Sequence, residues 1–157
     1  MMKGVCLRYS KNEAEAEDLL QDSFIKAFDK LSTFKNKGPL GGWLRKLTVN
    51  TALELYRKNK ISHLSLTLIT EEVDPSVDPI QKLELDDLVY KIQQLPTGFR
   101  TIFNLYAIEG YTHKEIGQLL SISDGTSKSQ YSRAKKVLVK MIEDEKQIEL
   151  KILKYAK

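Results

Sequence analysis

Cationic and hydroxyl side chains are concentrated in one stretch of the sequence, residues 124–141. Five of its residues are basic and one is acidic: Lys128, Arg133, Lys135, Lys136 and Lys140 against Asp124. Ser129 and Ser132 lie among them. Lysine and arginine neutralise phosphates, and serine and lysine can hydrogen-bond to base edges. The composition is therefore typical of a segment that contacts DNA.

The residues around this stretch predict a helix-turn-helix. Thr112 and Glu115 have the spacing of a capping box, and apolar residues then follow at helical intervals. Residues 121–123 interrupt the pattern, and Ser123 or Asp124 can cap a second helix. The expected inward positions of that helix are Ser127, Tyr131, Ala134, Leu138 and Met141. Its basic residues then face outward, either as a surface that reads DNA or as the solvated side of a core helix.

A second group of cationic residues surrounds the only tryptophan of the sequence. Trp43 begins a helix predicted over residues 43–59, in which Arg45 and Lys46 follow after one leucine. The preceding residues, 35–42, are rich in glycine and predict a loop with two lysines and no acid. Trp43 is either a boundary residue of the core or a ring that stacks on an unpaired base.

The first strong helix, predicted over residues 12–34, has the opposite charge balance. Asn12 is its expected N-cap. Its expected apolar face consists of Leu20, Phe24, Phe28 and Leu31, which recur at spacings of four and three, and it is widened by Leu19, Ile25 and Ala27. Asp18, Gln21, Asp22 and Asp29 lie largely off that face. They form either a solvated acidic surface or a docking surface for a basic partner.

The helical segments predict an all-α protein of two small domains joined by a flexible acidic linker. The first domain is expected at residues 1–60 and the second, which contains the helix-turn-helix, at 80–157. Residues 61–79 between them are rich in aspartate and proline, which is typical of a linker. In the second domain we expect helices over 80–94 and 97–108, with Pro96 as first residue of the latter and Gly110 after its end.

The overall composition restricts the class of protein. The chain has 157 residues, a formal charge of +4, one cysteine and two histidines. It has no nucleophile–base pair, no metal-ligand pattern and no glycine motif for phosphates, so we expect no enzyme, no metal, no cofactor and no small-molecule substrate. No apolar run approaches the ~20 residues that span a bilayer, and no signal peptide is evident. We expect a cytoplasmic protein without membrane insertion.

Two separate motifs of the sequence resemble regions two and four of bacterial RNA polymerase sigma factors of the extracytoplasmic-function (ECF) type, and they occur in the same order as in that family. Residues 16–28 (AEDLLQDSFIKAF), Phe34, the glycine-rich loop and residues 43–58 (WLRKLTVNTALELYRK) are similar to region two. Residues 95–138, which include the helix-turn-helix, are similar to region four. The similarity covers nearly all of residues 5–141.

The resemblance implies a role for each surface. The acidic helix would dock on the clamp helices of the largest subunit of core RNA polymerase, through Asp18, Gln21, Asp22 and Phe24. The loop and the Trp43 helix would bind the melted minus-ten element of promoter DNA, through Lys35, Lys37, Trp43, Arg45, Lys46 and Asn50. The second helix of the helix-turn-helix would read the minus-thirty-five element, through Thr126, Lys128, Ser129, Ser132, Arg133 and Lys136. Region four would also contact the polymerase flap, and an anti-sigma factor is a further partner.

Three departures from the family pattern carry expectations of their own. Ser127 replaces an apolar residue, so we expect weaker packing there or a capping hydroxyl. Gly117 replaces a common alanine, so we expect a cost in helix stability of up to about 1 kcal/mol. The family's region two begins with a helix of which residues 4–9 match only the end. We therefore expect the apolar face of the helix over 12–34 to be partly exposed, with reduced stability or self-association.

Two other functions remain open at the level of sequence. A stand-alone helix-turn-helix regulator would bind duplex DNA without polymerase, but it has no use for the acidic helix or for the Trp43 helix. A helical adaptor held by protein contacts alone would not account for basic charge on two particular helices. Transcription dependent on core polymerase separates these three hypotheses.

Overall fold

Seven α-helices contain most of the residues that the computed structural model describes, which are 2–35, 38–64 and 84–155. They are α1 (Met2–Tyr9), α2 (Glu13–Lys30), α3 (Leu40–Leu64), α4 (Glu84–Gln93), α5 (Thr97–Phe103), α6 (His113–Leu120) and α7 (Asp124–Tyr155). A 3-10 turn, Leu31–Thr33, follows α2, and a π-helical turn, Asn104–Ile108, follows α5. These ranges contain no strand, which confirms the all-α prediction.

The helix boundaries agree with most of the predicted caps. The side chain of Asn12 accepts a hydrogen bond of 2.9 Å from the amide of Glu15, so it is the N-cap of α2. Pro96 is the N-cap of α5, one residue before the observed helix start at Thr97, and not the first helical residue as predicted. Gly110 has a φ of +78°, which favours glycine, and it lies just beyond the π-helical turn. The charged residues after Met141 continue α7.

The loop predicted over residues 35–42 is shorter than expected, because α3 begins at Leu40 and contains two of its glycines. The amides of Gly42 and Trp43 donate to the carbonyl of Pro39 at 3.0 and 3.4 Å. Glycine weakens a helix, but the first-turn amides have no intrahelical partners and proline before them restricts the backbone. The prediction of a loop up to Gly42 is therefore wrong for its last three residues.

The predicted apolar face of α2 is confirmed for Leu19 and Ala27, which are buried, and is wrong for most of its larger residues. The helix buries Ala16, Leu19, Ser23 and Ala27, and it packs against α1 and α3. Phe24, Ile25, Phe28 and Leu31 are exposed, and Phe28 is 74% accessible to solvent. Three of the four buried side chains are small, so neighbouring helices approach the α2 backbone closely while the large apolar residues remain outside. We call these four exposed residues the α2 apolar stripe.

Helices α1, α2 and α3 pack on one another, and α1 and α3 also contact the second half of the chain. One apolar cluster joins both halves: Val5, Cys6, Tyr9, Ala16, Leu19, Val49, Ala52, Leu53, Ile102, Leu105, Ile116 and Leu120. A smaller cluster of Ile92, Leu95, Ala134 and Leu138 holds α4, α5 and α7 together. The predicted linker lies outside the described residues from 65 onward, and so do residues 80–83 of the predicted fourth helix. The domain boundary therefore stays a prediction.

Polar contacts cross between the halves as well. The side-chain amide of Gln93 donates to the carbonyl of Leu7 at 3.0 Å, and that of Asn104 donates to the carbonyl of Arg8 at 2.8 Å. The guanidinium of Arg57 donates to the carbonyl of Leu119 at 3.1 Å. These bonds and the shared apolar cluster hold the two predicted domains against each other.

Candidate nucleic-acid interface

The outward face of α7 carries the basic and hydroxyl side chains that the sequence predicts for DNA reading. Lys128, Ser129, Ser132, Arg133 and Lys136 are exposed, and Thr126 is half-buried. At 100° per residue these six positions share less than half of the helix circumference. The opposite side is buried through Ser127, Ala134 and Leu138, with Tyr131 and Met141 half-buried. The predicted inward and outward positions of this helix are confirmed.

Two side-chain caps fix the helix-turn-helix. The capping box of α6 is complete: the amide and hydroxyl of Thr112 donate to the Glu115 carboxylate at 2.8 and 2.7 Å. These bonds lower the pKa of Glu115. The hydroxyl of Ser123 accepts a bond of 2.9 Å from the amide of Thr126, so Ser123 rather than Asp124 caps α7. Between the helices, Ser121 has the left-handed φ of 53° that closes the turn.

The expected weaknesses at Gly117 and Ser127 have a different structural basis. A Cβ atom on Gly117 would lie 2.8 Å from the carbonyl oxygen of Ile122, so glycine is what allows the turn to pass this close. Ser127 neither caps a helix nor leaves a void, since it is fully buried with its hydroxyl 2.9 Å from the Nδ1 atom of His113. Both positions therefore contribute to the close approach of α6 and α7.

A cavity of about 340 Å³ between α2 and α3 contains part of the predicted surface for melted DNA. Trp43, Lys46 and Asn50 of α3 line it. Helix α2 and the turn after it contribute Lys26, Lys30 and Thr33, which the sequence analysis did not single out. Lys30, Lys46, the Asn50 amide and the Trp43 indole ring along one cavity can hold a phosphate and an unpaired base together.

The ring of Trp43 lies at the edge of this cavity rather than in the core. Trp43 is half-buried, and its ring centroid is 5.4 Å from that of Phe34 at an angle of 46°. Phe34 thus supports the indole from one side. Lys35, beside Phe34, is exposed, and Lys37 lies outside the described residues. At the opposite end of the cavity, Lys26 forms a close ion pair with Glu54, which lowers the pKa of Glu54.

Arg45 does not join the other residues predicted for melted DNA. Two residues from Trp43 on a helix, it points to a different side. Its Nε donates to the Glu109 carboxylate at 2.8 Å, and its Nη2 donates to the carbonyl of Ile108 at 3.3 Å. The bond to Glu109 raises the pKa of Arg45. Arg8 lies on the other side of the same carboxylate, with 3.6 Å between its Nη2 and the acid oxygen.

The acidic surface of α2 adjoins the α2 apolar stripe. Asp18, Gln21 and Asp22 are exposed on the turns that precede the stripe, and Phe24 is 45% accessible. Acidic and large apolar side chains therefore share one continuous exposed side of the helix. An exposed apolar patch of this kind is more typical of a protein-binding surface than of a solvated helix face.

A groove of about 500 Å³ lies between the acidic helix and the second half of the chain. From α2 it includes Glu15, Asp18 and Asp22; from α5, Thr97, Arg100 and Thr101. The sequence gives no local sign of this groove, because it is formed by helices that are remote in the chain. The same is true of the contacts of Arg8 and Arg45 with Glu109.

The remaining reactive groups show no arrangement for catalysis within the described residues. Cys6 is fully buried, and burial raises the pKa of its thiol to about 11. His113 is occupied by Ser127 and by neighbouring aromatic rings, and His63 has no described side chain. None of the described helices combines the length and apolar character that crossing a bilayer requires.

Two family models match the chain in the order of its two halves. Residues 1–61 match Sigma-70 region 2, and residues 85–138 match Sigma-70, region 4. The first match contains α1, α2 and most of α3, with the acidic surface and the cavity. The second contains nearly all of α4, then α5, α6 and the first half of α7, with the reader face.

Curated relatives and a solved structure agree with these matches. The chain is 30% identical over 153 residues to the ECF RNA polymerase sigma factor SigW of Bacillus subtilis, covering 89% of this chain and 82% of the relative. It is 32% identical over 139 residues to SigE of Mycolicibacterium smegmatis, covering 83% of this chain and 53% of the relative.

The structural likeness concerns the fold. The chain is similar, with a TM-score of 0.55 and 24% identity, to the sigma factor RpoE solved in complex with the anti-sigma factor NepR from Bartonella quintana. The alignment covers 90% of this chain and 89% of RpoE. With both regions matched in order and relatives that align over most of its length, the chain belongs to the ECF family of RNA polymerase sigma factors.

Proposed function

We propose that this sigma factor binds core RNA polymerase and directs it to promoters through three surfaces of different chemistry. The observation that carries the proposal is their presence on one helical chain: an acidic–apolar side on α2, a cationic cavity with an indole ring between α2 and α3, and a cationic–hydroxyl face on α7. The stand-alone regulator and the adaptor each need at most one of them.

The polymerase contact is assigned to the exposed side of α2. Asp18, Gln21 and Asp22 would meet basic residues of the clamp helices, and Phe24 would meet their apolar side chains. The exposure of the adjoining stripe supports a docking surface over the solvated alternative, since solvated helices rarely expose several large apolar residues together. Region four would make a second contact with the polymerase flap.

The melted minus-ten element is assigned to the cavity between α2 and α3. An extruded base would lie against Trp43 near Asn50, and Lys46 would neutralise the adjacent phosphate. Lys35 and Lys37 would add cationic charge from the loop. We extend the assignment to Lys30, which lines the same cavity. Lys26 and Arg45 are left out because Glu54 and Glu109 engage their cationic groups.

The duplex minus-thirty-five element is assigned to α7. Lys128, Ser129 and Ser132 are the proposed base contacts, and Thr126, Arg133 and Lys136 the proposed backbone contacts. A single exposed face without an intervening apolar residue supports this, because a major groove admits one side of a helix. The protein needs no catalytic group or cofactor for these tasks, and they place it in the cytoplasm with its polymerase.

An anti-sigma factor is the proposed regulatory partner. The RpoE relative was solved with such a protein. In this chain the groove beside Asp18 and Asp22 offers a site at which a partner would cover the proposed polymerase surface.

The decisive experiment is in vitro transcription with core polymerase and a library of promoters. We expect specific initiation that depends on this protein. Duplex binding without polymerase association would instead support a stand-alone regulator, and association with neither DNA nor polymerase would support an adaptor.

A further inference from the structure

A hydrogen-bonded pair, half-buried His113 and buried Ser127, joins the two helices of the helix-turn-helix. His113 is the first residue of α6, and Ser127 is in the first turn of α7. The Ser127 hydroxyl is 2.9 Å from Nδ1 of His113, and the serine has no accessible surface. Whichever atom carries the proton, the bond joins the two helices directly. A buried hydroxyl without its partner would be costly, so the pair favours one relative position of α6 and α7.

Aromatic rings enclose this pair and extend it to the π-helical turn. The ring of Tyr106 stacks on His113, with 4.2 Å between centroids and 11° between planes. Tyr131 is inclined to both rings, with centroid distances of 4.6 Å to Tyr106 and 5.8 Å to His113. The imidazole is therefore held in place by α7 and by the segment before α6. Its hydrogen bond consequently has a defined direction.

The turn between the helices supplies a second, independent constraint. The carbonyl of Ile122 passes so close to Gly117 that a Cβ there would lie only 2.8 Å from it. The amide of Ile122 donates to the carbonyl of Gly117 at 3.0 Å, which closes the turn. Small residues on both helices, Gly117 and Ser127, thus set how near α7 comes to α6.

We infer that His113, Ser127 and Gly117 are positioning residues for base recognition by α7. They contact no DNA themselves; they fix the rotation of the helix that carries Lys128, Ser129 and Ser132. A rotation of about 20° moves a side chain ~6 Å from the helix axis by roughly 2 Å. That displacement breaks a hydrogen bond to a base edge, whereas a flexible lysine still reaches a phosphate.

The inference rests on the proposed function of α7, and its test separates the two. The full-length protein with core polymerase first selects upstream elements from promoters with randomised sequence. Binding is then measured to the selected promoter and to one with that element scrambled, at several salt concentrations. If the wild-type protein selects no element, the proposed function fails. If it selects one, the variants test the positioning.

We expect Ser127→Ala and His113→Phe each to lower the preference for the selected over the scrambled promoter about five- to tenfold. The salt dependence of binding should not change, because phosphate contacts remain. The double variant should be no worse than either single one, since both remove the same bond. Gly117→Ala should lower the preference for a different reason, because the added Cβ atom would displace the carbonyl of Ile122 in the turn.

Ser23→Ala is the matched control. Ser23 is also fully buried, and its hydroxyl donates to the carbonyl of Leu19 at 2.7 Å, far from the helix-turn-helix. Loss of stability alone reduces the active fraction equally for both promoters, so this variant should keep the preference. An unchanged preference in folded Ser127→Ala, His113→Phe and Gly117→Ala would overturn the inference. A reduced salt dependence in the first two would overturn it as well, because it would indicate direct phosphate contact.

Discussion

The proposed polymerase contact depends on single side chains on the exposed side of α2. Replacement of Asp22 with lysine reverses the charge at the centre of the acidic surface, and Asp22 is exposed, so the fold tolerates the change. We expect loss of core polymerase binding, because like charges would face each other across the interface. Pull-down with core polymerase measures this. Binding of the isolated duplex by α7 should be retained.

Glu143→Lys is the control for that change, since it places the same charge at an exposed acid on α7. It should leave polymerase binding close to the wild-type level. Normal polymerase binding by Asp22→Lys would show that the docking surface is elsewhere.

Lys128 tests the reader face at the same scale. Its ammonium is 2.9 Å from the carboxylate of Asp124, an exposed pair that contributes little to stability. We therefore expect Lys128→Ala to fold normally and to bind the upstream element more weakly, by about 1–3 kcal/mol if the lysine contacts a base. The control is Lys140→Ala, because Lys140 is also exposed but lies further along α7. Filter binding measures the affinity of both variants for the upstream element. Equal affinity of the two variants would exclude Lys128 from the interface.

Residue roles could be predicted from sequence where they depend on one helix and not where they depend on two. The reader face follows from helical periodicity, so the predicted inward and outward positions of α7 agree with the structure. The partner of Arg45 is Glu109, 64 residues away, and no local pattern relates them. Ser127 stands out in the sequence as a departure from the family pattern, but its partner His113 does not, because only the packed turn brings the two residues together.

At the scale of the element, α2 shows why apolar spacing alone does not predict which large side chains of a helix are buried. The stripe of large residues has helical spacing as good as that of the buried side, and both sides could face a core. Close packing against α1 and α3 selected the side with alanines and a serine. The large residues on the other side are then available to a partner. Hydrophobic periodicity does not distinguish an apolar face that is buried in the core from one that binds another protein.

Two substitutions on α2 test whether its large apolar side chains are exposed and its smaller ones buried. Phe28 is 74% accessible and Leu19 is 4% accessible, so the larger side chain should matter less for stability. We expect Phe28→Ser to change the free energy of unfolding by less than about 0.5 kcal/mol, and Leu19→Ala to lower it by about 2–5 kcal/mol. Urea denaturation measures both. A larger loss of unfolding free energy for Phe28→Ser than for Leu19→Ala would show that Phe28 is packed in the core, as the sequence predicts.

The capping box of α6 predicts a pH dependence with a definite sign. The bonds from Thr112 lower the pKa of Glu115 from its ordinary value. A lowered pKa in the folded state means that the contribution to stability is present above the ordinary value and is lost as pH falls through the lowered one. Glu115→Ala should therefore lower the melting temperature at neutral pH, and its difference from the wild-type protein should shrink below about pH 4.

Gln118→Ala, at an exposed and uncharged position of α6, is the control for this series. Its difference in melting temperature should not vary with pH. Thermal melts at several pH values compare the two variants. A difference for Glu115→Ala that persists unchanged into strong acid would show that the carboxylate does not stabilise the helix through its charge.

At the scale of the whole molecule, the two matched regions share a core although the sequence between them reads as a linker. Residues of α1 and α3 meet residues of α5 and α6 in one apolar cluster. Polar atoms are buried in this interface as well, including the Tyr9 hydroxyl and the Nε of Arg8.

The Glu109 carboxylate is the polar centre of that interface, and its removal tests how firmly the regions are joined. Its side chain is only 8% accessible, with Arg45 Nε at 2.8 Å and Arg8 Nη2 at 3.6 Å. Glu109→Gln keeps the shape but removes the charge that both guanidinium groups share. We expect the free energy of unfolding to fall by on the order of 1–3 kcal/mol. We also expect the radius of gyration to increase above the ~15 Å of a compact chain of this length as the regions separate.

Small-angle X-ray scattering and urea denaturation measure the two effects, with Glu143→Gln as a charge-matched control on the exposed part of α7. The control should leave both values unchanged, because only Glu109 lies between the regions. An Arg45→Ala variant should reproduce part of the loss, and its combination with Glu109→Gln should add little, since both remove one interaction. If Glu109→Gln altered neither scattering nor stability, the apolar cluster and the bonds of Gln93, Asn104 and Arg57 would hold the regions together without the charge of Glu109.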